Sequence, residues 1–144
     1  MKGITFPSGN KFSDRELLKN LYSVKINAIK LWFSKEMLIG IQVFYQQNDG
    51  KIIIGKENIL NLESLEEDSY TISNFQLEDF DYVKTIGGSI NEKGCIDSLN
   101  FSSCKGKKVE CGEKKEKSKA FALNISHYEV PICLYGYLAT LNGN

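Results

Sequence analysis

A nucleophile needs a base beside it, and this chain offers one histidine, His127, and four cysteines, Cys95, Cys104, Cys111 and Cys133. A Cys–His pair would require His127 to approach a thiol. His127 lies instead in the polar stretch Ser126-His127-Tyr128-Glu129 just before Pro131, which reads as a surface loop. No two cysteines form a C-x-x-C pair, so one imidazole and scattered thiols make no zinc ligand set. Adjacent acids occur at Glu66, Glu67 and Asp68, and at Glu78, Asp79 and Asp81. Carboxylates in polar loops stay ionised and solvated, and nothing apolar beside them would raise a pKa for acid–base work. Gly87-Gly88-Ser89 and Gly94 are followed by no Lys-Ser/Thr, so they mark a strand bend and not a phosphate loop. These residues imply no catalytic group, no metal and no cofactor.

The remaining chemistry is that of binding. The aromatic residues Trp32, Phe33, Phe44, Tyr45, Tyr135 and Tyr137 sit in strand-like runs, where half should face the core and half outward. An outward Trp32 beside Tyr45 would anchor a partner, and burial beneath an N-terminal helix is the competing reading. Net charge is zero, so bulk attraction to nucleic acid or a membrane surface is not expected. Charge is nonetheless uneven. Between positions 56 and 81 there are eight acids and one Lys, and between 105 and 119 there are seven Lys and three Glu. The acidic run reads as a solvated loop with Glu66, Glu67 and Asp68 as candidate contacts for a partner, and the basic run as a lysine-protected strand edge. No apolar run is long enough to enter a membrane. The first seven residues have no signal-peptide character, which points to an intracellular, cytoplasmic protein with reduced thiols. Asn100-Phe101-Ser102 and Asn124-Ile125-Ser126 fit a glycosylation acceptor and would matter only after secretion.

The elements that must position these groups are β-strands. Val24, Ile26 and Ala28 alternate with polar residues, and Ile29, Leu31 and Phe33 then alternate in the opposite phase, which predicts a bulge near Ala28. Further strands are expected at 38–46, 52–54, 70–77, 82–90, 95–103, 107–111, 119–125 and 132–138, with a tight turn at Asn48-Asp49-Gly50. Ser13-Asp14-Arg15-Glu16 before Leu17, Leu18 and Leu21 reads as a capping box and predicts a short helix over 13–22. Leu38, Gly40, Ile41 and Val43 match Ile96, Ser98, Leu99 and Phe101 at one offset, so a supersecondary unit is used more than once. The chain is one all-β domain, a body at 9–144 with an N-terminal segment at 1–22 packed on it.

The motifs also resemble those of a known family. Gly9-Asn10-Lys11-Phe12-Ser13-Asp14 resembles the G-x-x-F-D-D opening of jacalin-related lectins. Gly40-Ile41-Gln42-Val43-x-Tyr45, followed by Asp49-Gly50-Lys51, resembles their G-I-Q-x-x-Y hairpin. Phe75-Gln76-Leu77 with Tyr82-Val83-Lys84-Thr85-Ile86-Gly87-Gly88, and Ile96-Asp97-Ser98-Leu99-Asn100-Phe101 with Lys105-Gly106-Lys107, follow in the family's order. The resemblance covers residues 9–143 and implies a β-prism of three four-stranded Greek-key sheets with pseudo-threefold symmetry.

In such lectins a Gly-rich segment near the N-terminus and a G-x-x-x-D loop near the C-terminus hold the sugar, with the Asp accepting hydroxyl hydrogen bonds. The family's Y-L-D aligns with Tyr137-Leu138-Ala139, so Ala139 stands where that Asp would be. Loss of a charged acceptor removes about 1.5–3 kcal/mol. The resulting expectation is a non-catalytic lectin-fold module with a degenerate sugar site, acting as a protein-interaction or structural subunit of an assembly. The alternative is a genuine carbohydrate-binding lectin in which Gly9, Asn10, Tyr137, Leu138 and Asn142 line the sugar. Partners are therefore a protein or a glycan.

Overall fold

The computed structural model describes residues 10–18, 24–59, 66–125 and 135–138, and among them the regular structure is all β apart from one short 3-10 turn. Eleven strands are formed: β1 (Asn10–Ser13), β2 (Val24–Ser34), β3 (Leu38–Gln47), β4 (Ile52–Ile54), β5 (Asn58–Ile59), β6 (Tyr70–Gln76), β7 (Val83–Ile90), β8 (Ile96–Ser103), β9 (Lys108–Gly112), β10 (Lys119–Asn124) and β11 (Tyr135–Leu138). They assemble into a five-stranded sheet ordered β4-β3-β2-β6 with β5 also paired to β3, a four-stranded sheet ordered β10-β7-β8-β9, and a two-stranded ribbon of β1 and β11.

The internal repeat explains the first two sheets. Read in equivalent positions, β4-β3-β2-β6 and β9-β8-β7-β10 are the same strand order, so each sheet is one antiparallel Greek-key unit. Matched residues hold matched places: Ile41 and Leu99 are buried, as are Val43 and Phe101. The two sheets also run in the same sense. Phe75 near the end of β6 stacks on Phe101, ring centroids 5.8 Å apart. At the other end, a Cβ on Gly112 of β9 would stand 2.6 Å from the Phe33 ring of β2. The main core lies between these sheets, from Ile29, Leu31, Phe33, Ile41, Val43 and Tyr45 on one side to Leu99, Phe101 and Cys111 on the other.

Local chemistry accounts for the irregularities. The expected bulge is present, since Ile26 pairs with Tyr45 but Ala28 pairs with Phe44, leaving Asn27 as the extra residue. Gly87-Gly88 is a place of close approach. A Cβ on Gly88 would lie 2.2 Å from the Ser98 carbonyl oxygen, so only hydrogen fits there.

Three expectations are corrected. Ser13 is not a helix cap but the last residue of β1, and residues 15–18 form one turn closed by Leu18 N–H to the Asp14 and Arg15 carbonyls. The rest of the helix expected over 13–22 lies outside the described residues. Sheets of five, four and two strands, among the described residues, stand in place of three four-stranded ones. The segment expected as plain acidic loop contains β5 and a 3-10 turn at Glu67–Ser69.

Candidate functional site

The β1–β11 ribbon joins the two ends of the chain. Its antiparallel register sets Asn10 opposite Leu138, Lys11 opposite Tyr137, Phe12 opposite Gly136 and Ser13 opposite Tyr135. The backbone therefore enters at Asn10 and leaves at Leu138 from one end of the ribbon. Of the proposed sugar-lining residues, Asn10, Tyr137 and Leu138 are brought together in this way. Gly9 and Asn142, like Ala139, lie outside the described residues.

A buried carboxylate ties the ribbon to the five-stranded sheet. Asp14, directly after β1, accepts hydrogen bonds from the Tyr45 hydroxyl at 2.7 Å and from the Lys56 backbone N–H at 3.1 Å. Both contacts are charge-assisted, the stronger kind of hydrogen bond. Asp14 was part of the sequence motif at the N-terminus, but its role as a tie depends on Tyr45, far along the chain, and no local pattern announces that.

Tyr45 is fully buried in the core cluster, and its ring cannot serve as a surface anchor. Trp32 does lie on the face of β2 opposite Leu31 and Phe33, yet it is only 3% exposed. Gly40 stands across from it in register and leaves room for the indole, Ile59 of β5 closes over the same spot, and the Lys30 ammonium lies 4.7 Å above the ring. The expectation of an exposed Trp32–Tyr45 pair is thus corrected: β5, which the sequence reading missed, covers the tryptophan. Glu66 and Asp68 are exposed at the 3-10 turn, where the Glu66 carbonyl accepts from Ser69 N–H and Oγ. The backbone of Glu67 belongs to that turn.

Two other buried carboxylates organise the four-stranded sheet. Asp97 on β8 accepts from the Ser89 and Ser118 hydroxyls and from Lys115 N–H at 3.2 Å, fixing the link between β9 and β10. Asp81 accepts from Tyr82 N–H at 3.0 Å, Lys105 N–H at 2.9 Å and the Ser103 hydroxyl. Burial pushes both carboxyls up, but the hydrogen bonds outweigh it and hold both below the ordinary aspartate value. Neither has a base or nucleophile set around it. Among the described residues no three His, Cys, Asp or Glu side chains cluster as a metal site, and no helix is long and apolar enough to cross a membrane.

Residues 6–136 match the family model of the jacalin-like lectin domain. The chain belongs to this family. Among solved structures, it is similar to artocarpin complexed with methyl-α-mannose, at 19% identity over 96% of this chain and 88% of that one, with a TM-score of 0.75. A galactose-specific lectin from Artocarpus hirsuta in complex with methyl-α-D-galactose aligns at 23% identity over 91% of each chain, TM-score 0.69. Single-chain recombinant jacalin aligns at 22% identity over 96% of this chain and 85% of that one, TM-score 0.69. A search of curated proteins finds no match. At these identities the solved jacalin-family lectins establish the fold, and the ribbon becomes the place in that fold to look for ligand binding.

Proposed function

We propose that this jacalin-like domain binds carbohydrate, without catalysis, at the end of the ribbon where Asn10 and Leu138 meet. The observation that carries this reading is the β1–β11 register, which draws residues from both chain ends to one edge. The family match supports it, because mannose and galactose derivatives are the ligands of solved relatives with this fold. In this reading Gly9 and Asn10 approach the sugar from one side and Tyr137, Leu138 and Asn142 from the other. Backbone amides and the Asn142 amide take the hydroxyl contacts that a carboxylate would otherwise make.

A second reading is favoured by one residue. Ala139 offers no acceptor where the family motif has Asp, so the domain would instead recognise protein, with exposed Glu66 and Asp68 beside Glu67 as its contact surface. A glycan array probed with the wild-type protein and Asn142→Ala separates the two. Specific glycan signal that falls in the variant supports the carbohydrate site. A blank array from folded protein would retire it in favour of a protein partner.

A further inference from the structure

The connection between β6 and β7 carries an unusual side chain. Phe80 adopts a φ of 60°, the left-handed region that bulky residues avoid because Cβ crowds the following carbonyl. It is also 84% exposed, more than any other large apolar side chain among the described residues. A strained, solvated phenylalanine persists only where the surroundings over-determine its backbone.

Those surroundings can be named. Asp81 N–H donates to the Glu78 carbonyl at 3.1 Å and closes the turn with Phe80 at its third position. The Lys25 ammonium donates to the Glu78 and Asp81 carbonyls, each at 3.0 Å. The Lys105 ammonium donates to the Asp79 carbonyl at 2.7 Å and stands 3.8 Å from the Glu78 carboxylate. The buried Asp81 carboxylate holds Tyr82 N–H, Lys105 N–H and Ser103 from below. Three of the turn's carbonyls are thus fixed by two lysines. None of the groups that brace it comes from β1 or β11.

We propose that this turn is a second carbohydrate site, separate from the chain-end ribbon, that takes the ring of a neutral pyranose on the face of Phe80. The electron-rich face of an aromatic ring attracts polarised C–H groups for the same reason it attracts cations. The carboxylates of Glu78 and Asp79, exposed on either side of the turn's first half, accept hydrogen bonds from the sugar's hydroxyls. The groups on the turn and those that brace it are charged or polar, so the ring is not part of a contiguous apolar patch of the size that protein docking requires. Both lysines point their charge at backbone carbonyls, which leaves the carboxylates to set the sign of the site. Sialylated and sulfated sugars are accordingly excluded. Because the turn is braced before any ligand arrives, binding orders little that is not already ordered.

The test is saturation-transfer NMR with millimolar methyl α-mannoside and methyl α-galactoside, run in an Asn142→Ala background that weakens the chain-end site. Transfer to the C–H protons of at least one sugar should persist in that background. Phe80→Ala should then weaken the interaction about 2- to 10-fold, the range a contact of this kind carries, and Phe80→Trp should restore it. Phe80→Gly relieves the left-handed strain, so it should fold at least as well as the parent and still lose the signal. No transfer in the Asn142→Ala background, or transfer indifferent to all three Phe80 substitutions, would overturn the second site. A signal lost only through Asn142 would leave the chain-end reading standing alone.

Discussion

The tie between Asp14 and Tyr45 can be tested as a pair. Asp14→Ala removes the acceptor of two buried or half-buried donors, the Tyr45 hydroxyl and the Lys56 N–H. Hydrogen bonds to a charged group each contribute about 1.5–3 kcal/mol, and a donor left buried costs a similar amount. The two effects overlap, so Asp14→Ala should cost about 3–4 kcal/mol. Tyr45→Phe keeps the buried ring and loses only the hydroxyl, so it should cost about 1.5–3 kcal/mol. In the double variant the hydroxyl that had lost its acceptor is itself gone, and the total should stay close to that of Asp14→Ala alone. The cycle should therefore give a coupling of about 1.5–3 kcal/mol, read from urea denaturation with unchanged m-values. Costs that add to within about 0.5 kcal/mol would refute the reasoning, because independent residues behave that way.

Two further outcomes follow from the core and its carboxylates. Phe101→Ala opens a cavity against Phe75 at the centre of the inter-sheet core and should cost about 3–5 kcal/mol in thermal or urea unfolding, whereas Phe101→Leu should cost much less. Asp81 and Asp97 are held below their ordinary pKa in the folded state, so the folded protein binds fewer protons than the unfolded chain in acid. Their stabilisation is then complete above about pH 3.9, the value in an unfolded chain, and disappears as pH falls through the lower folded values. Urea midpoints measured from pH 7 down to pH 2 should show this loss, and Asp97→Asn should flatten part of it.

The parts of the fold visible in the sequence are those where a short-range pattern has one physical cause. Alternation with one face buried located β2, β3, β7 and β8 to within a residue or two, and the phase slip in β2 marked its bulge. Where the inward face is not apolar, the pattern misleads. On β8 the buried positions are Asp97, Leu99, Phe101 and Ser103, so a charged and a hydroxyl side chain share the inner face with two hydrophobes. Their burial is tolerable only because Ser89, Ser118 and Lys115 N–H satisfy Asp97, and those donors are distant in sequence. The two-residue strand β5 is too short to show any period, yet it decides that Trp32 is covered.

The candidate sites fail to announce themselves for a related reason. A repeat is detectable when a unit recurs intact along the chain, as the two larger sheets do. The ribbon is built from one strand near each end of the chain, so neither strand contains the unit it completes. Nothing local in Asn10-Lys11-Phe12-Ser13 favours a strand over the helix cap that Ser13 and Asp14 suggest; pairing with β11 decides it, together with the tie to Tyr45. At Phe80 the signal is a mismatch and not a pattern, an aromatic placed where turn chemistry calls for glycine or asparagine. Departures of that kind are expected where binding, and not folding, selects the residue. The site-bearing elements of this protein are thus the ones whose conformation is imposed from a distance, by Tyr45 on the ribbon and by Lys25 and Lys105 on the Phe80 turn.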